Sequence, residues 1–152
     1  KDEIDKFNTL LKVISLSNIG QMIIFVNTVS RAKQLIDGLE NKDIGISCSA
    51  LYGRGMDIKL RDETMDQFRK NQTQCLVASN VIARGIDVPA VGLVVNFEIP
   101  INQGQSSVNG IQKTGLTFDS ETFMHRVGRT GRFGSKGVCI NLVAQDDNIA
   151  ND

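Results

Sequence analysis

Short unbroken apolar runs alternate with helix-period segments along this chain, and that alternation restricts the fold more than any other feature of its 152 residues. Met22 to Val26 is apolar at every position, which suits a parallel strand covered on both faces. Further strands are expected at Ile44 to Leu51, Gln74 to Ala78, Gly92 to Phe97 and Gly137 to Val143. Between and before them the apolar residues recur at helical spacing. Ile4, Phe7, Leu10, Leu11 and Ile14 predict a first helix over about Glu3 to Leu16. Thr28 or Ser30 can cap a second helix holding Ala32, Leu35, Ile36 and Leu39. Asp57 to Lys70 reads as a third, with Leu60, Met65 and Phe68 inward, and a fourth starts near Ser120. Strands joined by helices form parallel crossover units. The expected fold is therefore α/β: a three-layer, doubly wound, mostly parallel sheet, with residues 1–152 as a single domain.

A chain of this length can bury a substantial core. No apolar run is long enough to span a bilayer, and no secretory leader pattern opens the sequence. The expectation is an intracellular protein, cytoplasmic and/or nuclear, monomeric and without a membrane partner. Seventeen basic residues balance seventeen acidic ones, so contact with a polyanion must come from local patches. Cys48, Cys75 and Cys139 are widely spaced in apolar stretches, and the chain has one histidine. That pattern fits reduced, buried thiols and no metal site. From Ile101 to Phe118 the chain is rich in Gln, Asn, Ser and Gly. With almost no apolar periodicity there, 101–118 is expected to be an inserted surface loop.

The segment His125-Arg126-Val127-Gly128-Arg129-Thr130-Gly131-Arg132 carries the chemistry. Its three arginines recur every third residue, and no acidic residue occurs between Phe123 and Gln145. Clustered guanidiniums repel one another, so the cluster makes sense against a polyanion, whose phosphate oxygens the guanidinium fork fits in pairs. The glycines allow close approach of another backbone or a ligand. Ser120 is the expected N-cap, with Glu121 in the favoured first turn. If the helix continues to about Arg129, then His125, Arg129 and Arg132 share one face. Gly128 would cost about 1 kcal/mol in that helix, which implies a need for small residues or an early helix end. A basic helix C-terminus alone would need one arginine, not three.

This segment closely resembles motif VI of the DEAD-box ATP-dependent RNA helicases; its His-Arg start separates it from the DEAH relatives. Met22-Ile23-Ile24-Phe25-Val26-Asn27-Thr28 resembles motif IV, and Ala83-Arg84-Gly85-Ile86-Asp87-Val88-Pro89 resembles motif V. Val94-Val95-Asn96-Phe97-Glu98-Ile99-Pro100 is similar to the strand that follows motif V. Phe118-Asp119-Ser120-Glu121-Thr122-Phe123 resembles a stretch of the mRNA-export subgroup, with Phe118 where that subgroup has proline. The four motifs occur in family order over nearly the whole chain.

The resemblance implies the RecA-like C-terminal domain of a helicase. The chain opens on Lys1 and contains neither a Gly-x-x-x-x-Gly-Lys-Ser/Thr phosphate loop nor Asp-Glu-Ala-Asp. It is therefore expected to be part of a longer protein whose N-terminal ATP-binding domain holds most of the ATP and Mg2+. By the motif match, Arg129 and Arg132 reach the γ-phosphate, with Arg132 the arginine finger, while His125 and Arg126 bridge to the N-terminal RecA-like domain. Asp87 takes the ribose hydroxyls, and Gly85 lets backbone approach. Asn27, Thr28, Arg61 and Ser79 are expected at the RNA backbone, where contacts carry no sequence code. Ser79 replaces the usual threonine, and Ile58 replaces the usual glutamine three residues before Arg61. Expected partners are single-stranded or duplex RNA and, by subgroup, export or translation factors. The isolated chain is expected to hydrolyse no ATP. The competing reading is a non-catalytic RecA-like module that binds RNA or protein.

Overall fold

The computed structural model describes residues 2–18, 20–42, 45–53, 55–79, 90–108, 111–131 and 136–144, with 2, 103–108 and 111–116 described by backbone alone. Four helices, α1 (Asp2–Leu16), α2 (Val29–Glu40), α3 (Ile58–Arg69) and α4 (Ser120–Val127), alternate with strands among these residues. The strands are β1 (Met22–Val26), β2 (Cys48–Leu51), β3 (Cys75–Ser79), β4 (Leu93–Asn96), β5 (Ile101–Val108), β6 (Ile111–Phe118) and β7 (Val138–Asn141). Five of them form one sheet in the order β2-β3-β1-β4-β7, every neighbouring pair parallel. This is the doubly wound arrangement read from the sequence.

The central strands are apolar throughout because both faces are covered. Met22, Ile24 and Val26 join Leu10 and Ile14 of α1 and Ala32, Leu35 and Leu39 of α2 in one cluster. Ile23 and Phe25 point the other way, into a cluster with Met65 and Phe68 of α3. Each fully buried Ile or Phe contributes roughly 1.5–3 kcal/mol relative to an exposed one. Leu60, expected inward, is 50% exposed, and Ile4 of the α1 apolar pattern is 65% exposed. Ile4 lies instead on an open cleft of about 280 Å³ between α1 and α2, lined also by Phe7 and Leu35. The inward face of α3 is Thr64, Met65 and Phe68.

Helix ends follow local chemistry. Thr28 caps α2 by accepting from Arg31 N at 3.2 Å. Asp57 caps α3, accepting from Lys59 N at 2.8 Å. At its other end Asn71 has φ +57, and Asn71 N and Gln72 N donate to Phe68 O and Gln67 O at 3.1 and 2.9 Å. That left-handed stop closes two orphan carbonyls. The second strand is shorter than expected: Gly45 has φ +68, so the chain is still turning where extension was predicted.

The expected loop over 101–118 is a β-hairpin instead. Strands β5 and β6 pair antiparallel from Ile101↔Phe118 to Val108↔Ile111, as a two-stranded sheet of their own. Its polar composition hid the strands, since a hairpin outside the main sheet needs no apolar face directed to the core.

Candidate functional site

A parallel sheet has two different rims, and the motif residues divide between them. At the rim where strands end lie Asn27 and Thr28 after β1, Ser79 closing β3, and Asn96 and Glu98 around the end of β4. At the rim where strands begin, the loop after α4 meets the residues that lead into β4.

Arg126 organises the first rim. Its side chain is 0% exposed. One terminal nitrogen donates to Asn96 Oδ1 at 3.0 Å and Glu98 O at 2.7 Å; the other donates to Asn27 Oδ1 at 2.9 Å and Val26 O at 3.4 Å. The guanidinium also lies over the Phe25 ring, 5.1 Å from its centroid. Burial pushes its pKa down to about 10, opposed by the charges of Glu98 and Asp119, so it remains a cation at neutral pH. Arg126, expected at a second domain, has its head group bonded within this one, where it ties α4 to the ends of β1 and β4. The web extends further. Glu98 Oε2 accepts from Asn27 N at 2.7 Å, and Oε1 accepts from Arg31 Nε at 3.1 Å. Arg31 also pairs with Glu3. Asn96 Nδ2 donates to Asn141 Oδ1 at 2.8 Å.

The RNA-side expectations fare unequally. Asn27 is committed on both ends of its amide, since Nδ2 donates to Ile99 O at 2.8 Å while Oδ1 takes Arg126; here it serves as a strut between α4 and the residues after β4. Ser79 is 1% exposed, so its hydroxyl does not reach the surface. Among the described residues its buried oxygen has no hydrogen-bond partner. Thr28 is exposed, and its hydroxyl hydrogen remains available beyond the cap it accepts. Arg61 is half-buried in the first turn of α3; its backbone N donates to Asp57 O at 3.0 Å, and its side chain has no hydrogen bond or ion pair among the described residues. A cation there sits at the positive end of the helix dipole, where the Asp57 carboxylate already accepts from Lys59 N and Leu60 N. The first turn of α2 carries no acidic residue, and its cap, Thr28, is neutral.

At the opposite rim the arginine motif is held by its backbone. Helix α4 stops at Val127 with Gly128 as C-cap. Arg129 therefore leaves the helix, and the expected helical alignment of His125, Arg129 and Arg132 does not form. Val91 N donates to Arg129 O at 2.9 Å, Thr130 pairs with Val91 as a parallel bridge, and Val138 N donates to Gly92 O at 3.0 Å. Gly131 has φ +70, which favours glycine. A Cβ on Gly137 would overlap Thr130 Oγ1 and the Gly131 nitrogen. His125 is 46% exposed at the side chain, with Glu121 Oε1 3.7 Å away. Arg129 is half-buried. Arg132, Asp87 and Gly85 lie outside the described residues, as do Arg84 and Arg54.

At the start of α4 the cap is Asp119, not Ser120. Its carboxylate accepts from Thr122 N at 2.9 Å and Thr122 Oγ1 at 2.6 Å, two bonds where a serine hydroxyl would take one. Sequence reading missed Asn96 and Glu98 as members of the web. The available sign was a pair of polar residues closing an otherwise apolar strand.

Residues 5–134 match the family model described as the helicase conserved C-terminal domain. The chain is similar to the ATP-dependent RNA helicase DBP5 of Saccharomyces cerevisiae, at 40% identity over 152 residues, covering 99% of this chain and 28% of that protein. It is similar also to eukaryotic initiation factor 4A of Cryptosporidium parvum, 39% identical over 142 residues, 93% of this chain and 30% of that protein. The chain thus spans less than a third of the length of these curated relatives. The solved C-terminal domain of the DEAD-box protein Dbp5 matches with a TM-score of 0.77 and 39% identity, covering 94% of this chain and 72% of that one. S. cerevisiae Dbp5 bound to RNA and ADP BeF3 matches with a TM-score of 0.77 and 40% identity, covering 94% of this chain and 33% of that one. The chain belongs to the helicase conserved C-terminal domain family, as the RecA-like C-terminal domain of a DEAD-box protein.

Proposed function

We propose that this chain is the C-terminal half of an ATP-dependent RNA helicase, in which it supplies charge to a nucleotide held chiefly by an N-terminal RecA-like domain. The observation that carries the reading is the loop after α4. Its backbone is bonded to the rim through Arg129 and Thr130 and shaped by Gly131 and Gly137. Backbone fixed this way holds Arg129 and Thr130 in place without reorganising, which is what electrostatic stabilisation of a transferred phosphoryl group requires. In this reading Arg132 is the finger, Arg129 its neighbour on the γ-phosphate, and Asp87 the acceptor for the ribose hydroxyls beside Gly85. His125, half-exposed, bridges to the other domain. Mg2+ belongs to that other domain.

At the opposite rim, RNA phosphates would meet the Thr28 hydroxyl, Arg61 and the positive end of α2. Closure of the two domains on ATP and RNA bends one strand and separates a duplex, or remodels an RNA–protein particle. Opening after hydrolysis releases the RNA. S. cerevisiae Dbp5 has been solved with Gle1 and IP6, and with Nup159 as well. We infer export-type regulators and a cytoplasmic or nuclear site of action for this protein on the same basis.

The test is Arg132→Ala in the full-length protein. A finger is typically worth about 10³–10⁵ in turnover, so RNA-stimulated kcat should collapse while ATP binding changes little. Equal losses in both would reject the finger role. The isolated domain should show no turnover.

A further inference from the structure

Strand β2 is one edge of the main sheet and pairs with β3 in a register that sets Cys48 directly opposite Cys75. Both residues pack into the cluster beneath α1 and α2, so their side chains leave the sheet on the same face. Cys75 is fully buried, while Cys48 on the edge strand is half-buried. Neighbouring strands run about 4.8 Å apart, inside the Cα separation of about 4.4–6.8 Å that a disulfide spans.

We propose that Cys48 and Cys75 are a peroxide-oxidisable thiol pair that closes to a reversible disulfide between β2 and β3. The two thiols differ in the way such a pair needs. Cys48 is reachable, and its pKa is lowered, chiefly by the neighbouring Cys75 S–H, against burial and the charge of Glu40. When protonated it directs its own S–H to Ile46 O at 3.9 Å, leaving the Cys75 donor to serve the thiolate. Cys75 keeps its proton, with its pKa raised first by that bond and then by burial. The attacking thiol is therefore the outer one and the resolving thiol the inner one.

The chemistry balances with hydrogen peroxide as oxidant. The Cys48 thiolate attacks one peroxide oxygen and the O–O bond breaks. Cys48 becomes a sulfenic acid, and the departing hydroxide takes a proton to give water. Cys75 then gives up its proton and attacks the Cys48 sulfur; the S–O bond breaks and a second water leaves. Two thiols lose two electrons in total and the peroxide gains them. Side chains standing side by side on a ladder are about 4.8 Å apart, against about 3.8 Å between Cβ atoms in a relaxed bridge. Closure must pull the edge strand in by about 1 Å, and strain of that kind makes a bridge easy to reduce. Cys139 offers an internal control: it lies on β7 at the far edge, and burial raises its pKa.

The experiment treats the reduced full-length protein with hydrogen peroxide, quenches with catalase, alkylates and maps peptides. The expected product is a monomer with a linked Cys48–Cys75 peptide, two hydrogens lighter, restored by dithiothreitol while Cys139 stays alkylatable. Cys75→Ser should stop at a Cys48 sulfenic acid that dimedone captures. Should that variant not fold, Cys48→Ser decides, because its Cys75 must remain reduced over the same exposure. Overoxidised Cys48 without the linked peptide, a Cys48–Cys48 dimer, oxidation of Cys139 at the same rate, or an oxidised Cys75 in Cys48→Ser would each overturn the proposal.

Discussion

Replacing Arg126 by methionine isolates what its head group contributes, because methionine keeps an unbranched apolar stem against Phe25 while removing every donor. Three acceptors lose close partners: Glu98 O at 2.7 Å, Asn27 Oδ1 at 2.9 Å and Asn96 Oδ1 at 3.0 Å. Bonds from a charged donor are worth roughly 1.5–3 kcal/mol each. Against this stands the desolvation of the guanidinium, visible in a pKa lowered to about 10. Removing one member of a buried charged set typically costs about 3–5 kcal/mol, because the remaining members stay buried and uncompensated. That is a large part of the roughly 5–15 kcal/mol holding a domain of this class together. In urea, with a slope of about 2 kcal/mol/M, the unfolding midpoint should fall by about 1.5–2.5 M. Arg126→Lys should recover only part of the loss, since one ammonium cannot fork between β1 and β4. A midpoint shift below about 0.5 M with an unchanged slope would refute the reasoning. So would normal domain stability accompanied by lost ATP turnover in the full-length protein, the signature of an outward-facing arginine.

Gly137→Ala should displace the loop after α4, since the new methyl meets both Thr130 Oγ1 and the Gly131 backbone. The expected result is a loss of RNA-stimulated turnover in the full-length protein that exceeds any loss of ATP affinity, and unchanged turnover would show that the loop does not need this packing. Asn71→Gly should stabilise the domain by up to about 1 kcal/mol, because glycine holds the left-handed φ of +57 without the Cβ penalty; a lower urea midpoint would contradict it.

The sheet was legible because its central strands are buried on both faces, which writes an unbroken apolar run such as Met22–Val26 into the sequence. The hairpin was not, because its residues owe nothing to the main core. Yet a sign was present: Asn109-Gly110 stands between Val108 and Ile111, the arrangement that most strongly marks a two-residue hairpin connection. The register closes on those positions, with Val108 opposite Ile111. Motif VI was found as a motif, but its arginines could not be sorted by burial. Arg126 and Thr122 lie four apart on the inward face of α4, which a polar sequence does not advertise. The bonds of Asn27 were illegible for a related reason: an amide after a strand serves a ligand or a neighbour equally well until the neighbour is located. The cap at Asp119 rather than Ser120 turned on a second acceptor oxygen, whose partner is the Thr122 hydroxyl.

Helix α4 is fastened at both of its extremities. Asp119 N donates to Pro100 O and the Arg126 head group grips the strand exits, while Val91 N holds Arg129 O at the strand entries. Such a rod cannot tilt at one end alone. Any displacement imposed among Asn27, Glu98 and Asn96 is carried along some eight residues of helical backbone to the glycine turn that bears Arg129. Two surfaces on opposite sides of the domain therefore share one mechanical element, and neither can be reshaped without the other feeling it.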